Sequence, residues 1–407
     1  MAAGPDRDSA VTVPLPSRSG PAAKVAWTGQ GSGAQLTAVD CASRMTADAA
    51  AGEALSLRDQ ALAELDAGDP SGALGIARQG LAVLQAAGLR GGADEAAMLI
   101  ALAEIEEALG CFGDAGVTIA AAIVTLEDDE LEDEDDKLIL WCQAQERQAG
   151  LERTAGDFDV AASRLRLVLD RASAALGEAS RAVVSAANSL GVVYKYASDF
   201  DAAESAYRRA AAAAQGLADP DPLIEAGLLH NLAGLAHSRG AAAAGIPLAE
   251  RGATLRAEVL GPDHPDVARD LNALGALYHL DGRLGEAAQA YRRALAVFED
   301  RYGPDHFEVA MTCANLAVLH ADEGDFAQAE TLGGRSLRIL ETVLGPDDAE
   351  VGLTLLNQAA AVAGQGRMTE ATALASRSAT ILAARLPAGH PHLAAATEAA
   401  EHYRRPA

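Results

Sequence analysis

Aromatic residues are scarce in this 407-residue chain, at 4% of the total. Strand-rich folds draw on aromatic and β-branched residues, so their scarcity weighs against a β-sandwich or barrel. Lysine is scarcer still, with only Lys24, Lys137 and Lys195 among the 32 basic residues. None of the three follows glycine, which excludes a phosphate-binding Gly-Lys-Ser/Thr loop. Four cysteines (Cys41, Cys111, Cys142, Cys313) lie far apart with no C-x-x-C pair. That spacing supports neither a zinc site nor a disulfide framework, and scattered reduced thiols fit a cytoplasmic protein. No basic-then-apolar leader opens the chain, and no uninterrupted apolar run approaches the roughly 20 residues of a membrane span.

What is present points elsewhere. Half of the chain is hydrophobic by count and alanine dominates, which favours helices that pack closely on small side chains. The formal net charge is −26. An acidic surface repels phosphate backbones and anionic lipid, so nucleic acid and membrane are not expected partners. A protein or peptide partner of basic character suits it better.

The back half repeats itself. Gly261-Pro262-Asp263-His264-Pro265 returns after 42 residues as Gly303-Pro304-Asp305-His306 and again as Gly345-Pro346-Asp347-Asp348. The register reaches back to Gly177 and Asp219 and forward to Pro387, with His390-Pro391 matching His264-Pro265. A fixed period of this length marks a solenoid, where each unit buries its apolar face only against its neighbours. Small residues recur as Ala149, Gly191, Ala233, Gly275, Ala317 and Ala359, and again as Ala161, Ala203, Gly245, Ala287, Ala329 and Ala371. A third column is Ala210, Gly252, Ala294, Ser336 and Ser378. Between the first two sits a turn column of Gly156, Ser198, Gly240, Gly282, Gly324 and Gly366. Two helices joined by a Gly turn and crossing at small residues explain all of these. The loop histidines His264, His306 and His390 are read as helix-start residues, because Asp348 occupies the same place in another repeat.

These columns resemble the tetratricopeptide repeat, and more narrowly its 42-residue form in kinesin light chains and many bacterial regulators. Asn272-Ala273-Leu274-Gly275-Ala276-Leu277-Tyr278, Gly282, Ala287-Ala288, Tyr291 and Ala294 follow that pattern closely. Ile246-Pro247-Leu248 and the Val259–Pro265 linker are similar to its second helix and linker. The resemblance implies an all-α, right-handed α-solenoid of about eight helix–turn–helix repeats with a C-terminal capping helix. The expected organisation is a low-complexity tail over 1–52, divergent repeats over 53–176 with an acidic insertion at 127–136, and regular repeats over 177–386. A capping helix and tail over 387–407 complete it.

No catalytic motif is written here: H-E-x-x-H and G-x-S-x-G are absent, and Gly29–Gly33 is misspaced for a nucleotide loop. No enzyme activity, cofactor or metal is expected. Glu127–Asp136 carries nine acids in ten residues and reads as a solvated loop, or as a docking segment for a basic partner. Arg209, Arg251, Arg293, Arg335 and Arg377 form a column suited to ion pairs and stem packing along the repeats.

In the tetratricopeptide family the first helix of each repeat lines a concave groove, and in its light-chain-like members groove asparagines hold the backbone of a bound peptide. Asn188, Asn231, Asn272, Asn315 and Asn357 occupy two adjacent positions of that helix, and Lys195, Tyr196, His237 and His279 lie further along the same predicted face. A carboxamide donates and accepts together, which suits pairing with peptide N–H and C=O groups. The same residues suit bracing of helix to linker, and both roles stand at this level. The family's carboxylate clamp is not matched: its positions hold Ser185, Gly227, Met311 and Leu353, with only Arg269 basic. The expected function is a non-catalytic interaction scaffold, or alternatively a peptide-sensing regulator acting through a change in superhelix shape.

Overall fold

A computed structural model describes residues 38–127, 134–386 and 390–404. These residues form seventeen α-helices and contain no strand. They divide in sequence between Pro220 and Asp221 into two compact units.

The N-terminal unit holds α1 (Ala38–Asp66), α2 (Pro70–Ala86), α3 (Ala93–Ala108), α4 (Phe112–Glu127), α5 (Glu134–Ala155), α6 (Phe158–Leu176), α7 (Arg181–Tyr196) and α8 (Phe200–Gln215). Consecutive helices pair, and each first helix also touches the next one, α1 on α3, α3 on α5 and α5 on α7. The C-terminal unit holds α9 (Pro222–Ser238), α10 (Ala242–Leu260), α11 (Pro265–Leu280), α12 (Leu284–Tyr302), α13 (Phe307–Asp322), α14 (Phe326–Val343), α15 (Ala349–Gly364), α16 (Met368–Arg385) and α17 (Pro391–Arg404). Its first helices stack in the order α9, α11, α13, α15, α17. The fold is thus the all-α helical-repeat solenoid that the periodicity implies. Among the described residues no helix is long and apolar enough to cross a membrane.

The small-residue columns sit where helices cross. Ala161, Ala203, Ala287, Ala329 and Ala371 are all within 1% of full burial. A Cβ on Gly275 would lie 2.7 Å from the Tyr291 ring, and one on Gly191 2.5 Å from the Tyr207 ring. Glycine leaves room for each tyrosine of the second helix to pack closely on the first.

The turn column does what its composition requires. Gly282 has φ 78°, a left-handed conformation open to glycine without a Cβ penalty, and Ser198 takes φ 61° at the equivalent place. At the other end of each repeat the loop histidines cap helices. His264 Nδ1 accepts the Asp266 amide at 3.2 Å, His306 Nδ1 the Glu308 amide at 3.2 Å, and His390 Nδ1 the His392 amide at 3.3 Å. Asp348 Oδ1 does the same for Glu350 at 2.9 Å. Each satisfies an amide that the helix itself leaves open.

One sequence expectation needs adjustment, and others fall outside the described residues. Helix α1 begins at Ala38 and so runs through part of the segment assigned to a loose tail. Residues 38–51 hold neither Gly nor Pro, and the helix they enter is anchored by the buried Ala54 and Ala61. Residues 1–37, with the Gly29–Gly33 stretch, and residues 128–133 of the acidic run lie outside the described residues.

Four of the five arginines of the column form ion pairs as expected, and the column also does something the sequence did not suggest. Arg209 meets Glu178, Arg251 meets Glu225, Arg335 meets Glu299 and Arg377 meets Glu341, at 2.6–3.0 Å. In three consecutive repeats the arginine of this column donates to the carbonyl of the linker proline. Arg293 reaches Pro262 at 3.5 Å, Arg335 reaches Pro304 at 3.0 Å and Arg377 reaches Pro346 at 3.2 Å. A proline-containing linker has few partners for its carbonyls, and the column ties it to the second helix.

Candidate functional site

The first helices of the C-terminal unit carry a ladder of polar pairs running from one repeat to the next. Between α11 and α13, Arg269 Nε donates to Glu308 Oε1 at 2.8 Å, Asn315 Nδ2 donates to Asn272 Oδ1 at 3.2 Å, and His279 Nε2 meets Asp322 Oδ2 at 2.8 Å. On α11 these residues sit at helical spacing on one face, so the seam is continuous. Arg269 also pairs with Asp266. Burial alone would lower the Arg269 pKa, but Glu308 and Asp266 raise it above the ordinary guanidinium value, so it stays charged.

The carboxamide pair is the part with unused capacity. Asn272 and Asn315 are both half-buried. Their mutual bond uses one donor of Asn315 and one lone pair of Asn272. Two N–H groups on Asn272, and the second N–H and the carbonyl oxygen of Asn315, remain, and a peptide offers complementary groups at every residue. Asn357, half-buried on α15, continues the column by one repeat.

The other expected site residues divide differently. Asn188 and Asn231 are only 3% and 4% exposed. At that depth they belong to the helix packing rather than to an open face. Lys195 is also buried, its ammonium 5.3 Å from the Tyr196 ring centroid, and the Arg153 guanidinium lies 4.7 Å from the same ring. His237 is half-buried on α9. His279 is engaged with Asp322 rather than open. The structure therefore brings Asn272, Asn315 and His279 onto one seam. Asn188, Lys195 and Tyr196 belong to the N-terminal unit.

Sequence reading missed the partners in this ladder. Glu308 and Asp322 were not singled out, nor was the matching seam of the N-terminal unit. There Glu146 on α5 accepts Ser185 Oγ at 2.6 Å and Ser189 Oγ at 3.2 Å, both from α7. Burial pushes the Glu146 carboxyl up to about 7, against the opposing pull of the two hydroxyls and Arg147. Arg147 in turn pairs with Glu104 at 2.8 Å and Glu107 at 3.1 Å on α3. The signal was available: cross-helix partners lie 39, 40 or 43 residues apart. Complementary residue types at one period plus or minus a few positions mark the seam. Among the described residues no group of three His, Cys, Asp or Glu side chains is arranged to hold a metal ion.

The family model described as tetratricopeptide repeat matches residues 225–300 and 307–384. No curated protein matches the sequence. Among solved structures, BtubC (BKLC) from P. vanneervenii is 27% identical, covering 59% of this chain and 92% of its own, with a TM-score of 0.47. A Rap protein complexed with Competence and Sporulation Factor is 12% identical, covering 72% of this chain and 77% of its own, with a TM-score of 0.53. A signal-transduction ATPase with a tetratricopeptide repeat sensor from Pyrococcus horikoshii is 11% identical, with a TM-score of 0.55. That match covers 81% of this chain and 49% of the ATPase. At such identities these last two likenesses concern the fold.

Proposed function

We propose that this tetratricopeptide repeat protein is a non-catalytic interaction module that holds an extended segment of a protein partner on α11, α13 and α15. The fold itself is one suited to protein–protein contact, since stacked first helices present a long face built from many repeats. One observation carries the finer reading: the Asn272–Asn315 pair, whose mutual bond orients both carboxamides and leaves donors on one and an acceptor on the other. Peptide backbone is the ligand chemistry that satisfies both at once.

Each such bond is worth about 0.5–1.5 kcal/mol net. Side chains flanking the pair are already committed, Arg269 to Glu308 and His279 to Asp322, so affinity at this point rests on backbone pairing and shape. The acidic balance of the chain supports a partner with basic segments elsewhere along its contact. The buried free thiols Cys142 and Cys313 suit a reducing, cytoplasmic setting.

The test begins with capture of partners from native extract and mapping of the bound segment. Its affinity is then measured for the unaltered chain and for Asn272→Ala/Asn315→Ala. The expected loss is about ten- to hundredfold, equivalent to roughly 1.4–2.7 kcal/mol, with helicity and melting temperature unchanged. Normal affinity combined with early melting would make the pair a structural brace and overturn the reading.

A further inference from the structure

A buried ionic cluster marks one junction in the C-terminal unit. Asp270 on α11 accepts Arg256 Nη1 from α10 at 2.8 Å and meets His230 Nδ1 from α9 at 2.8 Å through the same oxygen. Asp270 and Arg256 are each 2% exposed and His230 is 8% exposed. One acidic side chain thus ties both helices of one repeat to the first helix of the next.

The cluster is out of character for its positions. One period further on, the place of Arg256 is taken by Phe298, then by Leu340 and Leu382, all fully buried in the core. The place of Asp270 is taken by Thr312 and Thr354, and that of His230 by Asn272, Ala314 and Leu356. Three substitutions from neutral to ionisable residues coincide at one interface. Burying an ion pair gains little over a well-packed apolar contact, whereas burying either charge alone is strongly unfavourable. Even here the hydrogen bonding is incomplete, because Arg256 Nη2 and Asp270 Oδ2 are buried without a partner. A cluster of this kind is poorly suited to adding stability and well suited to excluding wrong arrangements.

Repeats built on one column pattern create a need for such exclusion. The apolar faces of α10, α12, α14 and α16 share one pattern, so any of them can approach the wrong first helix, in the same chain or in a second copy. With α10 on α13 or α15, Arg256 would face Thr312 or Thr354 with no carboxylate. With α12 in the place of α10 against α11, Phe298 would cover an Asp270 that has lost Arg256. We infer that Arg256, Asp270 and His230 form a register lock that commits the α9–α10 repeat to the α11–α12 repeat and to no other.

The test uses the full chain with the residues of the following repeats introduced at the lock. Arg256→Leu and Asp270→Thr, made singly, should each lower the melting temperature by roughly 10 °C, since each removes one partner of a buried ion pair and leaves the other behind. Together they should restore melting close to that of the unaltered protein. On refolding from denaturant, however, the double variant should lose yield of the original species to misassembled dimers and larger forms, read by size-exclusion chromatography with light scattering. The exchanged pair Arg256→Asp/Asp270→Arg restores opposite charges and should recover the original size distribution. Two results would overturn the inference. One is a neutral double variant that refolds with the yield and size of the unaltered chain. The other is an exchanged pair that refolds no better than the neutral one.

Discussion

The Asn315 carboxamide on α13 donates to the Asn272 carboxamide on α11 across 3.2 Å, one repeat away. The bond fixes which way each amide points, so removing either side chain also frees the other. Asn272→Ala and Asn315→Ala should therefore be non-additive in partner binding, each costing more than half of what the double variant costs. Isothermal titration with the mapped partner segment reads this directly. Strict additivity would mean that the two amides act separately.

The crossing of α11 with α12 leaves no room for added atoms. Ala287 is fully buried, and Gly275 lies under the Tyr291 ring. Ala287→Leu should cost about 1–3 kcal/mol in unfolding free energy through overpacking, and Gly275→Ala should also destabilise. Gly285, at the start of α12, faces open space, and a methyl group added there would meet nothing within 4 Å. Gly285→Ala should therefore gain up to about 1 kcal/mol. Urea unfolding followed by circular dichroism separates the signs.

Ser198 is the one non-glycine residue with positive φ among the described residues, at 61°. Its counterparts Gly156, Gly240, Gly282, Gly324 and Gly366 take the same left-handed turn. Ser198→Gly should relieve a left-handed strain of about 1–2 kcal/mol, less the entropy that glycine adds to the unfolded chain. A rise in melting temperature is expected, and a fall would show that the serine hydroxyl holds the turn.

Acidity should act on the two units in opposite directions. The Glu146 carboxyl, pushed up to about 7 by burial, holds a proton that the unfolded chain gives up near the ordinary carboxylate value of 4.5. Its contribution is full below that value and is lost as pH rises through about 7. The His306 pKa is lowered from 6.5, first by burial and also by Arg269, with Glu308 opposing. Its ring caps α13 only while Nδ1 is unprotonated, so this contribution is present above 6.5 and is lost as pH falls through the lowered value. Melting curves between about pH 4 and about pH 8 check both. Glu146→Gln should flatten the rise-with-acid component, and His306→Asn, which keeps a capping oxygen, should flatten the loss-with-acid component.

Much of the fold was legible because a 42-residue period writes the same physical constraint several times. Turn glycines such as Gly282, crossing residues such as Ala287 and capping residues such as His264 each recur where the backbone demands them. The candidate site was less legible, since position on a helix face does not reveal depth. Asn188 and Asn272 occupy the same column, yet Asn188 is buried and Asn272 is half-exposed. The partners Glu308 and Asp322 were invisible to a reading by columns, because the pairs they form join different columns of adjacent repeats. Arg256 and Asp270 likewise stand out only once α10 and α11 are seen to face each other.

The central claim is that partner chains lie along α11 and α13, and site-specific photo-crosslinking tests it most directly. A benzophenone amino acid replaces Ala276, which lies between Asn272 and His279 on α11, and in a second protein replaces the exposed Arg292 of α12. Both are irradiated in native extract, and crosslinked peptides are identified by mass spectrometry. The account predicts one recurring partner segment attached at Ala276, lost on Asn272→Ala/Asn315→Ala, and absent from Arg292. Attachment of that same segment at Arg292 and not at Ala276 would contradict it.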